Sequence, residues 1–207
     1  MTRSGVALVL LIAFLGLTFG LRTLLHWRRT GHTGFRGITG SVGSLEWLGG
    51  VLFVLGLVLG LVAPIAERLG KTDALFTPQP WSDLVALALV ATGVAGTWWA
   101  QSAMGASWRI GVKADERTEL IDSGPFRWVR NPIFSFMLLT AGGIALFLPN
   151  MLSFAAFFSL LLAVELQVRI AEEPYLRRVH GSRYTAYSSR VGRFFPWIGR
   201  EDRPGEF

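Results

Sequence analysis

The stretch from about Leu45 to Ala66, LEWLGGVLFVLGLVLGLVAPIA, holds one charged residue in 22 positions. No other feature constrains the fold as strongly. A run of that length and apolarity matches the ~30 Å hydrocarbon thickness of a bilayer when wound as a helix. Lipid offers no hydrogen-bond partner, so the backbone must satisfy its own N–H and C=O groups, and a helix does so within one segment. Pro64 falls near the far end of this run.

Similar runs recur. One covers about Gly5 to Leu25; the basic residues Arg22, Arg28, Arg29 and Arg36 follow it and no small-residue cleavage site appears, so it reads as a retained span rather than a signal peptide. Another covers about Leu84 to Met104, introduced by TPQPWSD, where Ser82 or Asp83 can cap the helix. The last two, PIFSFMLLTAGGIALFL from Pro132 and MLSFAAFFSLLLAVELQV, are separated only by Pro149–Asn150, which predicts an antiparallel helical hairpin. The expected fold class is therefore all-α: a polytopic membrane protein of about five transmembrane helices, the last two a hairpin, followed by a cytoplasmic helical tail. Residues 1–80 form an N-terminal pair of spans, and residues 81–207 carry the remainder. No internal repeat is evident.

Composition agrees. The chain is 51% hydrophobic and 16% charged, against roughly a quarter charged in soluble domains, with a mean hydropathy of +0.44. It has no cysteine, which excludes disulfides, zinc–thiolate sites and thiol nucleophiles. The net charge of +6 is almost all arginine, since Lys71 and Lys113 are the only lysines. In a membrane protein that surplus reads as topology rather than nucleic-acid binding. Loop one carries Arg28, Arg29 and Arg36, and loop three carries Arg109, Lys113, Arg117, Arg127 and Arg130. The tail after Gln167 holds eight arginines, whereas loop two has only Arg68 and Lys71. The alternation places the N-terminus outside and loops one and three and the C-terminus inside, in an integral membrane protein of the plasma membrane.

The charged residues nearest the apolar runs are the candidates for chemistry. On one continuous helix Glu165, Arg169 and Glu172 fall at i, i+4 and i+7 and share a face. An acid so close to a long apolar run is costly in lipid, so Glu165 either pairs with Arg169 and pins the bundle or serves a site. Glu172 and Glu173 either end a solvated helix or, facing Arg127 and Arg130, bind a cation or zwitterion. Gly93 and Gly96, with Gly142 and Gly143, permit close helix approach. Trp98, Trp99 and Trp108 are interface anchors, or Trp108 lines a pocket. His26, His32 and His180 lack metal-ligand spacing, and neither a glycine-rich phosphate loop nor a nucleophile elbow is present.

The segment LIDSGPFRWVRNPIF followed by EEPYLRRVHGSRYTAYSSRVGRFFP resembles the isoprenylcysteine carboxyl methyltransferase and phospholipid methyltransferase families. The resemblance runs from about Trp99 to Pro196. It implies an integral membrane enzyme that uses S-adenosyl-L-methionine on a lipidic or prenylated small molecule. It further implies that Arg130, Asn131 and Pro132 close one wall of the cofactor pocket, that Glu172 and Glu173 form another, and that Tyr184, Tyr187 and Arg193 lie nearby on the tail. Asn131 stands where these families usually have His, Phe134 where they have Tyr, and Phe136 where a small residue often follows. Asn131 keeps a donor and an acceptor but cannot be charged.

GASWRIGV resembles the segment preceding that motif, and Arg109 is the expected contact to an anionic substrate. Pro132 would start its helix with nearby backbone N–H groups directed at an anion. Carboxylate O-methylation requires alignment but no base, with Arg109 or Arg130 holding the acceptor. Amine N-methylation would require a base such as Glu165. Two other classes stay open: a membrane reductase using NADPH, and a non-catalytic scaffold that keeps the fold.

Overall fold

The computed structural model describes residues 1–34, 37–38, 40–108 and 119–201. Among the described residues, five apolar helices form a bundle: α1 Arg3–Thr30, α2 Leu45–Arg68, α3 Pro80–Met104, α4 Pro132–Phe147 and α5 Met151–His180, with a short α6 at Ser182–Ser188. Four of the five are long and apolar enough to cross a membrane. The exception is α4, whose 16 residues rise only about 24 Å. Pro132 fixes its start, and the Leu148–Pro149 sequence ends it.

Each boundary has a local cause. Thr2 accepts from the Gly5 N–H and Ser44 from the Trp47 N–H, capping α1 and α2. At α3 the cap is Gln79: its backbone N–H donates to Ser82 Oγ at 2.9 Å, and Pro80 follows at the first helical position. Asn150 caps α5, its Oδ1 accepting from Ser153 N at 2.9 Å while its Nδ2 donates to Glu67 Oε2 at 2.8 Å.

Packing pairs α3 with α4 and α2 with α5, while α1 lies mainly against α2. Small residues set the α3–α4 spacing. A Cβ on Gly93 would lie 2.7 Å from both the Phe136 carbonyl oxygen and the Thr140 nitrogen, and one on Gly96 would lie 2.3 Å from the Phe136 ring. Leu11, Val90 and Ile144 form the core between α1, α3 and α4. Outward-facing Leu55, Val58, Val62, Phe158 and Leu162 stay exposed, and only 22% of the most apolar window of α2 is buried within the protein. Apolar surface on that scale suits lipid rather than water.

The N-terminus, the α2–α3 connection and the α4–α5 turn meet at one end of the bundle: Arg3 pairs with Asp83, and Leu75 N donates to Pro149 O at 2.7 Å. The arginine-rich loop before α4 and the tail meet at the other. The first is the turn end of the bundle and the second its tail end.

Two helices contain a π turn, Gly16–Leu21 in α1 and Gln167–Glu172 in α5. The second changes the reading of the acidic face. An extra residue in a turn rotates everything beyond it relative to a regular helix. Glu165 and Arg169 still pair one turn apart, but Glu172 leaves their face and joins a cavity wall that Glu165 does not line.

Candidate active site

The loop before α4 is shaped by its ends. Gly124 has φ of +56°, a short helical turn spans Gly124–Arg127, and Pro132 opens α4. Between them the chain runs extended beside the tail: Arg130 N donates to Gly192 O at 2.8 Å and Asn131 N to Arg193 O at 3.1 Å. Asn131 Nδ2 also donates to Arg193 O, at 3.2 Å, and Ser135 Oγ donates to Phe194 O at 2.8 Å. The backbone N–H groups of Arg130 and Asn131, just ahead of Pro132, are thus taken by tail carbonyls. The local interaction that competes successfully is a short parallel pairing of loop and tail.

This pairing brings together charges far apart in the chain. Glu173 Oε1 accepts from Arg130 Nη2 at 2.8 Å and from Arg193 Nε at 2.7 Å, while Oε2 accepts from Arg193 Nη2 at 2.9 Å. Arg130 also donates to the carbonyls of Ser188 (2.9 Å) and Gly199 (3.0 Å). The Arg130 and Glu173 side chains are only 2% and 5% exposed, so this pair stands on strong geometry or not at all. Glu201 adds a second carboxylate 3.4 Å from Arg130 and 2.6 Å from Arg177, with Ser188 Oγ donating to it.

The electrostatics follow from this arrangement. Hydrogen bonds to Glu173 raise the Arg193 pKa above its ordinary value despite partial burial. Burial works to raise the Glu201 pKa, but hydrogen bonds from Arg177 and Ser188 and the charge of Arg130 hold it below the ordinary carboxylate value. Burial pushes the Tyr184 hydroxyl well up, with Glu173 adding to the shift, and burial beside Tyr184 does the same for Tyr187. Both phenols are therefore neutral at physiological pH. Tyr187 Oη donates to the Phe126 carbonyl at 2.6 Å and stacks edge-on against Tyr184, in a cluster with Leu120 and Val191.

A cavity of ≈ 710 Å³ opens beside this network. Arg130, Asn131, Glu172, Glu173, Tyr184 and Tyr187 line it, and so do Phe19, Phe53, Leu57 and Met137 from the apolar bundle. One continuous space thus joins a charged wall to a greasy one. The Nε of Arg130 is buried with no hydrogen-bond partner among the described residues. A buried donor of that kind is costly unless a ligand supplies the acceptor. Among the described residues no group of three or more His or acidic side chains could hold a metal ion.

Of the residues singled out from sequence, the structure gathers Arg130, Asn131, Glu172, Glu173, Tyr184 and Tyr187 at the cavity, with Arg193 immediately behind Glu173. Pro132 is fully buried at the start of α4 and supports the wall without lining it. Glu165 is held by Arg169 away from the cavity lining. Arg109 lies outside the described residues. Trp108 is buried in the cavity wall, whereas Trp99 is 51% exposed. The Trp108 ring is faced by the Arg22 guanidinium at 5.2 Å and the His26 ring at 5.3 Å.

Three participants carry no motif. Glu201 sits in an unpatterned tail, Arg22 reads as a flanking topology charge, and Gln101 is a lone amide ending an apolar run. Only the last gives a signal: a polar group near the end of a span is expected to have a partner.

A search of curated proteins gives no match. The phospholipid methyltransferase family profile matches residues 81–183, about half of the chain. That segment contains α3, the Arg130 loop, α4 and α5 with Glu172 and Glu173, the elements that build most of the cavity wall, and through it this chain belongs to the phospholipid methyltransferase family.

Proposed function

We propose that this chain is an S-adenosylmethionine-dependent methyltransferase that O-methylates the carboxylate of a lipidic molecule drawn from the bilayer. One observation carries the reading: the cavity is amphiphilic, with ion-paired residues at the tail end and Phe19, Phe53, Leu57 and Met137 along the spans. A space of ≈ 710 Å³ falls in the range of small-molecule and cofactor sites.

The residues present fit the cofactor. Glu172 offers the wall a carboxylate suited to an ammonium or sulfonium, and Arg130 Nε is a buried donor suited to a carboxylate. Bound there, S-adenosylmethionine would supply an electrophilic methyl group. Glu173 has both oxygens engaged by Arg130 and Arg193, so its part is to hold Arg130 in place. The Tyr184, Tyr187, Leu120 and Val191 cluster closes the polar end against water. A carboxylate acceptor is already ionised at neutral pH, so the chain needs only to orient it, and Arg109 is the residue proposed to hold it. By the arginine bias of loops and tail, the site is proposed to face the cytoplasm.

A second reading has its own observation. Glu119 and Glu172 both line the cavity, and a carboxylate there can take the proton an amine acceptor must lose.

Isothermal titration of S-adenosylmethionine and S-adenosylhomocysteine into detergent-purified protein tests the cofactor, with binding expected in the wild type and weakened in Glu172→Gln. Absence of heat for both ligands in folded wild-type protein overturns the reading. Methyl-labelled product from membrane lipids then separates the acceptors: a carboxyl ester releases methanol in base, and a methylated amine does not.

A further inference from the structure

Gln101 is a primary amide near the end of an apolar helix, and its environment fixes which way it points. Its Nε2 donates to the Thr18 carbonyl at 2.9 Å, within the π turn of α1. A carbonyl only accepts, so the nitrogen must face Thr18 and Oε1 must face away. The residue is 2% exposed, and Oε1 is buried without a hydrogen-bond partner among the described residues. Gln101 also lines the large cavity, on a wall built with Phe19, Thr23, Met104 and Trp108. None of these is among the residues proposed to hold the cofactor, which all come from positions 130–193.

An acceptor held this way selects for donors. A ligand packed against it must bring an O–H or N–H of its own or leave a buried oxygen unsatisfied. A carboxylate placed there would set lone pair against lone pair. We propose that Gln101 is a specificity-determining residue for the lipidic acceptor, accepting a hydrogen bond from an O–H or N–H near the acceptor's polar end. The identity of that ligand as the methyl acceptor rests on the function proposed above. The chemistry of the contact does not.

The test uses two neutral amphiphiles that differ by one donor, N-dodecylacetamide and N-methyl-N-dodecylacetamide. Each is titrated into the full chain in detergent, as wild type and as Gln101→Met. The wild type is expected to bind the secondary amide about tenfold more tightly, the scale of one satisfied buried acceptor. In Gln101→Met that preference is expected to vanish while affinity for S-adenosylhomocysteine is kept. Equal affinities in the wild type overturn the proposal, as does a preference that survives in the variant. Loss of S-adenosylhomocysteine binding in a folded Gln101→Met chain also overturns it, by assigning the donor to the cofactor. If Gln101→Met does not fold, Gln101→Leu is read in its place. A wild type that binds neither S-adenosylmethionine nor S-adenosylhomocysteine defeats the methyltransferase reading instead, and the amide preference, measured without either, is judged on its own.

Discussion

The two ends of the bundle use the same chemistry in different solvents. At the turn end, Arg3 grips Asp83 through two hydrogen bonds of 2.6 and 2.7 Å, with side chains 31% and 27% exposed. At the tail end, Arg130 and Arg193 grip Glu173 at similar distances in near-complete burial. Geometry alone would rank the pairs together. Water ranks them apart. A wet pair gives up little solvation and gains little, whereas a dry one has surrendered solvation that only its partners offset. The turn end therefore fastens the bundle loosely, and the tail end is where a single change unbalances several groups.

The largest expected effect is at Glu173. Glu173→Gln keeps the shape but leaves Arg130 and Arg193 without their shared counter-charge, at a cost of about 3–5 kcal/mol. Thermal unfolding in detergent measures it, and binding of S-adenosylhomocysteine is expected to be lost as well. A melting curve close to wild type would mean that water reaches the pair and would erase the contrast between the ends.

Next comes the contact that joins the ends. Gly93→Ala places a methyl 2.7 Å from backbone atoms of α4, which cannot swing aside as a side-chain tip can. Overpacking of about 1–3 kcal/mol is expected, with α4 displaced from α3. Gly142→Ala is the control, since its new Cβ would meet only the Phe157 ring at 3.4 Å and should be tolerated.

Smaller still is the pH response of the tail. The folded Glu201 pKa lies below its ordinary value of 4.5, so its stabilisation is complete above that value and lost as pH falls through the lowered folded pKa. Hydrogen exchange in Ser182–Ser188 is expected to speed up below about pH 4.5. Glu201→Gln should lose that step, because it no longer has a carboxylate to protonate.

The same contrast explains how much could be read beforehand. Apolar runs, caps and the Pro149–Asn150 turn announce the helices directly, because each is a local signal. Arg130, Glu173, Tyr184, Tyr187 and Arg193 are grouped only by the family resemblance, and Arg130 and Arg193 meet at Glu173 only once the tail folds back. Nothing in LQVRIAE marks the π turn, so a regular helix predicts a face shared by Glu165 and Glu172 that the structure does not keep. Glu201 and Gln101 were not foreseen. One lies in a tail without pattern, and the role of the other depends on Thr18, 83 positions away.

The smallest effect is expected at Asp83, and it is the sharpest check on the comparison. Asp83→Asn keeps an oxygen able to accept from Arg3 and removes only the charge. Arg3 would still donate to the Phe147 carbonyl at 2.8 Å and lie 4.9 Å over the Phe147 ring. With water at both side chains, the lost attraction is worth about 0–1 kcal/mol and should shrink further as salt is raised. Unfolding of Asp83→Asn and Glu173→Gln at low and high salt puts both ends in one experiment. A salt-sensitive, small shift at the turn end beside a large, salt-insensitive one at the tail end is the expected pattern. Equal shifts would show that distance, not burial, ranks the ion pairs of this bundle.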